Sequence, residues 1–163
     1  MKFYPSLREG KDLWLMKNIF LILCTIILNG CATIEVPQYI QDQHPYQRTV
    51  YKGFDQTLDA TRQALAELGW TIGKETEPSV YERNRLLEGP GKAILLMTDI
   101  RRTPFFLGSR YTRLNIYLRG GDKVTEVELR YLTLNSLAIK TIQNYKNDAA
   151  VDRIFHRIEE NLK

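Results

Sequence analysis

Two cysteines and two histidines are the side chains of this 163-residue sequence best suited to covalent or metal chemistry. Cys24 lies inside an apolar run and Cys31 follows that run, where their thiols can form disulfides, bind zinc, act as nucleophiles or be acylated. His44 and His156 are isolated, and a metal site needs several convergent ligands. The sequence therefore predicts no metal, no cofactor and no catalytic residue, and it directs attention to Cys31.

The segment before Cys31 has the pattern of a secretory signal. Residues 19–28 form an uncharged apolar run that follows Lys17, and Gly30 supplies a small residue at its exit. A membrane-spanning helix needs about 20 apolar residues, so this run is short for a span. We therefore favour a cleaved signal over the alternative of an uncleaved anchor or a buried helix.

The tetrapeptide Leu28-Asn29-Gly30-Cys31 resembles the lipobox of bacterial lipoproteins. In that family signal peptidase recognises the residues before the cysteine, and the cysteine receives fatty acyl groups such as palmitate. Asn29 departs from the family pattern, which usually has a small or apolar residue there. The resemblance implies a lipid-anchored envelope protein, and Ala32, which is not aspartate, implies the outer membrane, facing the periplasm.

Cleavage before Cys31 defines the mature chain. Residues 1–30 are then the signal peptide, although Met16 offers an alternative start because a complete signal follows it. Acylation of Cys31 leaves the mature protein without a free thiol, which excludes cysteine catalysis. One acyl chain binds a membrane only marginally, at ~0.8 kcal/mol per buried methylene, whereas several hold it firmly.

The charge of the chain is nearly balanced after the signal. Four of its 23 basic residues and two of its 19 acidic residues precede Cys31, so the net charge of +4 falls to +2 in the remainder. Basic residues alternate with carboxylates instead of clustering, which argues against a nucleic-acid partner.

Residues 31–49 are interpreted as the acylated cysteine and a polar tether. Pro37, Pro45 and several glutamines interrupt any helical periodicity. Tyr39 and Tyr46 offer contacts with the domain or a partner, but the composition favours a plain extended linker. The folded domain is accordingly expected over residues 50–163.

Two amphipathic helices are predicted at the ends of this domain. Asp55 is the expected N-cap of the first helix, and Gly69 is its expected C′ glycine. The second helix is expected from about Asp148 to Leu162, with its apolar residues on one side.

The region between the helices is predicted to be strand-rich. A strand begins near Trp70, and residues 119–123 suit a hairpin turn with glycines that can adopt positive φ. Alternation over Val124–Thr133 is typical of a sheet with one wet face, and Asn135–Lys146 is ambiguous. The other expected strands are Tyr81–Leu87, Ala93–Arg101 and Arg110–Leu118.

These elements predict an α+β fold, with an antiparallel sheet of four or five strands and two helices packed on one face. A leading helix that ends in Leu68-Gly69-Trp70 is similar to the helix-grip or TATA-binding-protein-like modules of small envelope lipoproteins. The C component of the outer-membrane β-barrel assembly machinery is one of these. The resemblance covers residues 50–163 in pattern and carries no specific motif.

The stretch from Arg101 to Arg110 is the most unusual part of the domain. Phe105, Phe106 and Leu107 stand between turn-forming residues and arginines, and they can form a contact patch for a partner protein or a membrane surface. The alternative, which we favour on the rarity of exposed aromatic patches, is a hairpin loop that folds back on the core.

Two functions are compatible with the sequence. The first is a non-enzymatic, lipid-anchored protein that binds other envelope components and supports outer-membrane assembly or maintenance. The second is a small-ligand carrier or hydrolase that uses a cleft between the sheet and the C-terminal helix. The first is the prediction, and the second is the alternative.

Overall fold

A computed structural model describes residues 34–82, 91–106, 108–137 and 140–163, together with Asn18. From Val36 to Lys163 the chain forms one folded unit. Its elements are, in order, β1 (Tyr46–Val50), α1 (Phe54–Glu67), β2 (Ile72–Thr76), a 3₁₀ turn (Pro78–Val80), β3 (Lys92–Thr98), β4 (Arg101–Phe105), β5 (Gly108–Gly120), β6 (Thr125–Leu137), β7 (Thr141–Asn144) and α2 (Asp148–Asn161). The prediction of an α+β fold with an antiparallel sheet and two helices is confirmed.

A long hairpin of β5 and β6 forms the centre of the sheet. Each strand has 13 residues, and they pair antiparallel from Gly108 opposite Leu137 to Gly120 opposite Thr125. The predicted hairpin is therefore confirmed, but neither of its turn glycines has positive φ. Gly120 is needed for a different reason, because a Cβ atom there would lie 2.5 Å from the carbonyl oxygen of Val124.

Shorter strands flank this hairpin in pairs. β5 pairs with β4 through its first residues and with β3 through its last ones, while β6 pairs with β1 and β7. β2 lies outside β3, which gives seven strands in the described residues. The prediction of four or five strands is wrong because it missed the short edge strands.

Each missed strand lacks the regular alternation of apolar and polar residues that predicts a strand. β1 (YQRTV) and β7 (TIQN) carry few apolar residues, and β4 (RRTPF) contains a proline. Edge strands pair on one side only and tolerate polar residues and proline, so the alternating pattern is weak. The single strand expected over Ala93–Arg101 ends at Thr98. The strand expected over Tyr81–Leu87 lies mostly outside the described residues, and its first two residues follow the 3₁₀ turn without forming a strand.

Both helices pack on one face of the sheet and bury the main core. Alternate side chains of β5 and β6 point to this face, where they meet the apolar sides of α1 and α2. The central residues of this core are Leu58, Leu65, Leu114, Ile116, Leu118, Val127, Leu129, Val151, Ile154, Phe155 and Ile158. Among the described residues no helix is long and apolar enough to cross a membrane.

The ends of α1 correct one prediction and confirm another. Gly53, and not Asp55, is the N-cap, and Asp55 lies in the first turn, where it pairs with Lys92 at 2.6 Å. At the other end Gly69 has φ of +72° and its N–H donates to the carbonyl of Ala66. The N–H of Trp70 donates to the carbonyl of Leu65, which completes a Schellman motif.

Residues 36–45, here called the strap, cover the opposite face of the sheet. Ile40 is fully buried, its N–H donates to the side chain of Asn115 at 2.6 Å, and Arg113 donates to the carbonyl of Pro37 at 2.8 Å. The structure thus differs from the plain linker expected over residues 31–49, because the domain begins at Val36 and β1 lies within that range.

The strap also covers the face of β6 that was expected to be exposed to solvent. Arg130 and Glu128 are buried and paired at 2.7 Å, and Arg130 forms a second ion pair with Glu82. Tyr39 of the strap joins them, since its hydroxyl donates to Glu82 at 2.6 Å and accepts from Arg130. Burial raises the pKa of Tyr39, which keeps its hydroxyl protonated and able to donate.

Candidate arginine groove and hairpin tip

The residues predicted to carry function divide into two groups. Leu28, Asn29, Gly30 and Cys31, with the lipid attachment that they predict, lie outside the described residues. Of the predicted contact residues Phe105, Phe106 and Leu107, the first two are described and the third is not. The contact residues can therefore be placed in the fold, and the anchor stays a prediction.

Phe105 and Phe106 lie where β4 ends and the chain turns into β5; they are called the hairpin tip below. Phe105 is the last residue of β4 and pairs with Gly108. It is 40% exposed, and Phe106 is 99% exposed, so Phe106 does not fold back on the core as favoured above. An aromatic side chain so exposed leaves apolar area in contact with water that a partner can cover.

A glycine at the start of β5 lets this hairpin join the sheet. A Cβ atom on Gly108 would lie 1.7 Å from the carbonyl oxygen of Ser136 in β6, so no other residue fits without a shift of the backbone. Further along the hairpin Thr103 pairs with Arg110, and Arg101 pairs with Thr112. Because side chains alternate along a strand, Arg101, Thr103 and Phe105 share the helix side of β4.

A groove of about 230 Å³ opens on this side, between the β4–β5 hairpin and the ends of the two helices. Leu68, Trp70 and Ile154 supply apolar contacts, and Tyr131 contributes from β6. The other polar side chains that line it are Arg101, Thr103, Arg110, Thr112, Asn147 and Arg153. This arginine groove corresponds in place to the cleft expected between the sheet and the C-terminal helix.

Arg101 is fixed at one end of the groove by the terminus of α1. Its guanidinium lies 4.2 Å from the ring centroid of Trp70 and donates to the carbonyls of Leu68 and Gly69. Carbonyls at a helix C-terminus lack intrahelical partners, so an arginine there is well placed to satisfy them.

Arg110 and Arg153 enter the groove from β5 and α2. Arg110 donates through Nε to the side chain of Asn135 at 3.0 Å, and Arg153 donates through Nε to the carbonyl of Ala149 at 3.2 Å. Neither uses its Nη atoms in a hydrogen bond with a described residue. Each guanidinium group therefore has one hydrogen bond to the domain, and its outer donors are available to a ligand.

The charge of the groove is not balanced by its own lining. No carboxylate is among the described lining residues, and none of the three arginines forms a salt bridge within the described part of the chain. Elsewhere Arg48 and Arg62 pair with carboxylates at 2.9 and 2.6 Å. The groove thus concentrates positive charge that no described lining residue neutralises.

Another hollow, which is lined by several glycines, lies at the start of α1 and is less suited to anions than the arginine groove. Its volume is about 430 Å³, and its lining includes Gly91, Lys92, Asp55 and Asp122. Lys92 is paired with Asp55, and two carboxylates at a helix N-terminus oppose anion binding.

The two histidines lie apart in the fold. His44 belongs to the strap, and His156 lies on α2 with its Nε2 atom 3.3 Å from Glu160. Within the described residues no three histidine, cysteine or carboxylate side chains come together as metal ligands would.

Neither of two comparisons with known proteins finds a counterpart: no protein-family model matches the chain, and no curated protein does. The assignment of the candidate site is accordingly based on the geometry of its residues alone. Sequence reasoning found the hairpin tip and offered a cleft beside the C-terminal helix as an alternative, but it did not identify the arginines that line the groove, because Arg101, Arg110 and Arg153 have no common spacing. Only the fold brings them together.

Proposed function

We propose that this protein is a lipid-anchored, non-enzymatic lipoprotein of the bacterial envelope that binds other envelope components, and that it supports outer-membrane assembly or maintenance. The anchor in this proposal is acylated Cys31, and the membrane is the outer membrane, facing the periplasm. The partner is an envelope protein that covers the hairpin tip.

The exposure of Phe106 is the observation that carries this proposal. A phenylalanine ring kept in water forfeits about 1.5–3 kcal/mol relative to a buried one, so a contact that covers it recovers that free energy. The ring stands beside Phe105 on an edge hairpin, where a partner can approach without displacing the core. Aromatic residues of this kind are enriched at protein interfaces.

Intact mass spectrometry tests the anchor. The protein extracted from bacterial membranes is expected to begin at Cys31 and to carry fatty acyl mass, whereas a Cys31→Ala variant is expected to lack both changes. An unprocessed and unacylated wild-type chain would contradict the lipoprotein proposal.

Site-specific photocrosslinking in living bacteria tests the contact surface. A photoreactive phenylalanine analogue at position 106 is expected to form a discrete protein adduct. The same analogue at Tyr51, which is 81% exposed and lies in the turn after β1, is the control and is expected to form none. Equal labelling at the two positions, or none at position 106, would contradict a specific contact at the hairpin tip.

The arginine groove favours a second candidate function, a carrier of small ligands. It lies between the sheet and α2, and polar groups from several elements converge on it. Its side chains are mainly hydrogen-bond donors, which suit binding, whereas hydrolysis needs a nucleophile or a general base beside the ligand. The carrier is therefore the better-supported half of the carrier-or-hydrolase alternative.

A further inference from the structure

We infer that the arginine groove binds the phosphate group of an amphiphilic ligand, whose apolar part lies against the hairpin tip. The inference rests on the second function proposed above, the carrier. It requires neither acylation of Cys31 nor a protein partner at Phe106.

The charge of the groove selects an anion. Arg101, Arg110 and Arg153 come from three different elements and surround one small volume. Arginine binds oxyanions through parallel N–H donors and keeps its charge at any physiological pH. Three such groups without a carboxylate among the described lining residues repel one another, and a bound anion relieves that repulsion.

The number and spread of donors favour phosphate over carboxylate. A carboxylate offers two oxygen atoms in one plane, whereas a phosphate group offers three or four in a tetrahedral arrangement. Here donors approach from β5 through Arg110, from α2 through Arg153, and from β4 through Arg101, whose guanidinium lies at the end of α1. Thr103 and Thr112 also line the groove, and their hydroxyl groups add donors.

The size of the groove and its neighbours define the rest of the ligand. Pockets for drug-sized molecules occupy about 300–1,000 Å³, so a groove of about 230 Å³ holds a head group and leaves the remainder outside. Along β4 the groove side presents Arg101, Thr103 and then the half-exposed Phe105, with Phe106 beyond it. If the phosphate head of a molecule lies in the groove, the part that extends out of the groove therefore contacts the apolar surface of the hairpin tip.

Three probes separate a free phosphate source from a lipid head group. The full-length protein in neutral detergent is titrated with inorganic phosphate, dihexanoyl phosphatidic acid and hexanoate, and binding is followed by isothermal titration calorimetry. Trp70 lies beneath Arg101 at the groove and provides a second signal through its fluorescence. Phosphatidic acid is expected to bind more tightly than inorganic phosphate, and hexanoate is expected to bind more weakly than phosphatidic acid.

Variants of exposed arginines locate the binding. Arg110→Gln and Arg153→Gln, made separately on different elements, are each expected to weaken phosphatidic acid binding at least about tenfold. Arg102→Gln is the matched control, because Arg102 lies on the other side of β4 and donates to Ser109 at 3.1 Å. It removes the same charge and is expected to change the affinity less than twofold.

Each alternative outcome overturns a stated part of the inference. An equal loss in Arg102→Gln shows diffuse surface attraction, and hexanoate binding as tight as phosphatidic acid shows a general anion site. Phe105→Ala combined with Phe106→Ala is expected to weaken phosphatidic acid binding while leaving inorganic phosphate binding unchanged; equal effects overturn the amphiphile. Absence of binding by all three probes overturns a carrier that uses the arginine groove as well, whereas phosphate binding without preference for phosphatidic acid overturns only this inference.

Discussion

At the scale of the residue, tyrosine hydroxyls connect the strap and β1 to the rest of the domain. Tyr39 lies between Glu82 and Arg130, and Tyr46 lies at the start of α2, where it donates to Asp148 at 2.6 Å and accepts from the N–H of Asn147 at 3.0 Å. Each hydroxyl is useful as a donor only while it is protonated. These contacts therefore make folding sensitive to alkaline pH.

Tyr46 yields the first prediction, a loss of stability above pH 10. Burial, with help from the hydrogen bond to Asp148, raises the pKa of Tyr46 from 10.0 to about 12. A pKa that is higher in the folded state means that the folded chain holds its proton longer. The stabilisation is therefore present below pH 10 and is lost as pH rises towards 12. Thermal unfolding midpoints measured across this range are expected to fall.

The variant Tyr46→Phe isolates this effect. It lacks the titrating hydroxyl, so its unfolding midpoint is expected to be lower at neutral pH but to decline less between pH 10 and 12. Part of the decline is expected to remain in this variant, because the pKa of Tyr39 is also raised by burial. The exposed Tyr51→Phe serves as a control that follows the wild type, and identical pH profiles for Tyr46→Phe and wild type would contradict the prediction.

At the scale of the element, the C-terminus of α1 links helix geometry to the groove. Gly69 adopts φ of +72°, and a Cβ atom there would lie 2.9 Å from Nη2 of Arg101. Gly69→Ala is expected to lower the free energy of unfolding by about 1 kcal/mol, because alanine is disfavoured at positive φ. Gly121→Ala is the control, since nothing lies within 4 Å of its added Cβ and its φ is not positive.

Chemical denaturation of both glycine variants checks this prediction. Gly121→Ala is expected to match the wild type, and Gly69→Ala is also expected to alter the fluorescence of Trp70 because it disturbs Arg101. A Gly69→Ala protein as stable as the wild type would show that the Schellman motif contributes little here.

The strap provides the second prediction at this scale. Ile40 has no exposed surface, so Ile40→Ala is expected to lower the free energy of unfolding by about 2–5 kcal/mol. Ile142→Ala on β7 is the control, because Ile142 is 44% exposed and surface changes usually stay within about 0.5 kcal/mol. Equal effects in the two variants would show that the strap does not contribute to the stability of the domain and acts only as a linker.

The elements that the sequence predicts well are those whose burial pattern is regular. Leu114, Ile116 and Leu118 occupy every second position, and Gly69 follows a helical apolar stripe, so β5 and α1 were predictable. Ile40 gives no such signal, because a strap packs through single residues and hydrogen bonds instead of a periodic face. Arg130 illustrates the same limit: alternation along β6 indicates a wet face, and only the fold shows that the strap covers it.

At the scale of the whole molecule, the order of the strands makes stability uneven. β5 and β6 pair on both sides, whereas β4 and β7 each pair on one side only and all their residues are exposed. The candidate groove and hairpin tip both involve β4. Binding surfaces often lie in regions of low local stability, because such regions have few buried contacts.

Amide hydrogen exchange of the full-length protein, followed by mass spectrometry, tests this hierarchy. The amides of β5 and β6 are expected to exchange last, at rates set by global unfolding, and those of β4 and β7 are expected to exchange earlier through local opening. If the groove holds a phosphate head group, dihexanoyl phosphatidic acid is expected to slow exchange in β4 and leave β7 unchanged, because β7 contributes no residue to the groove. Protection of β4 equal to that of β5 without ligand would contradict the proposed hierarchy, and equal slowing of β4 and β7 would indicate general stabilisation instead of binding beside β4.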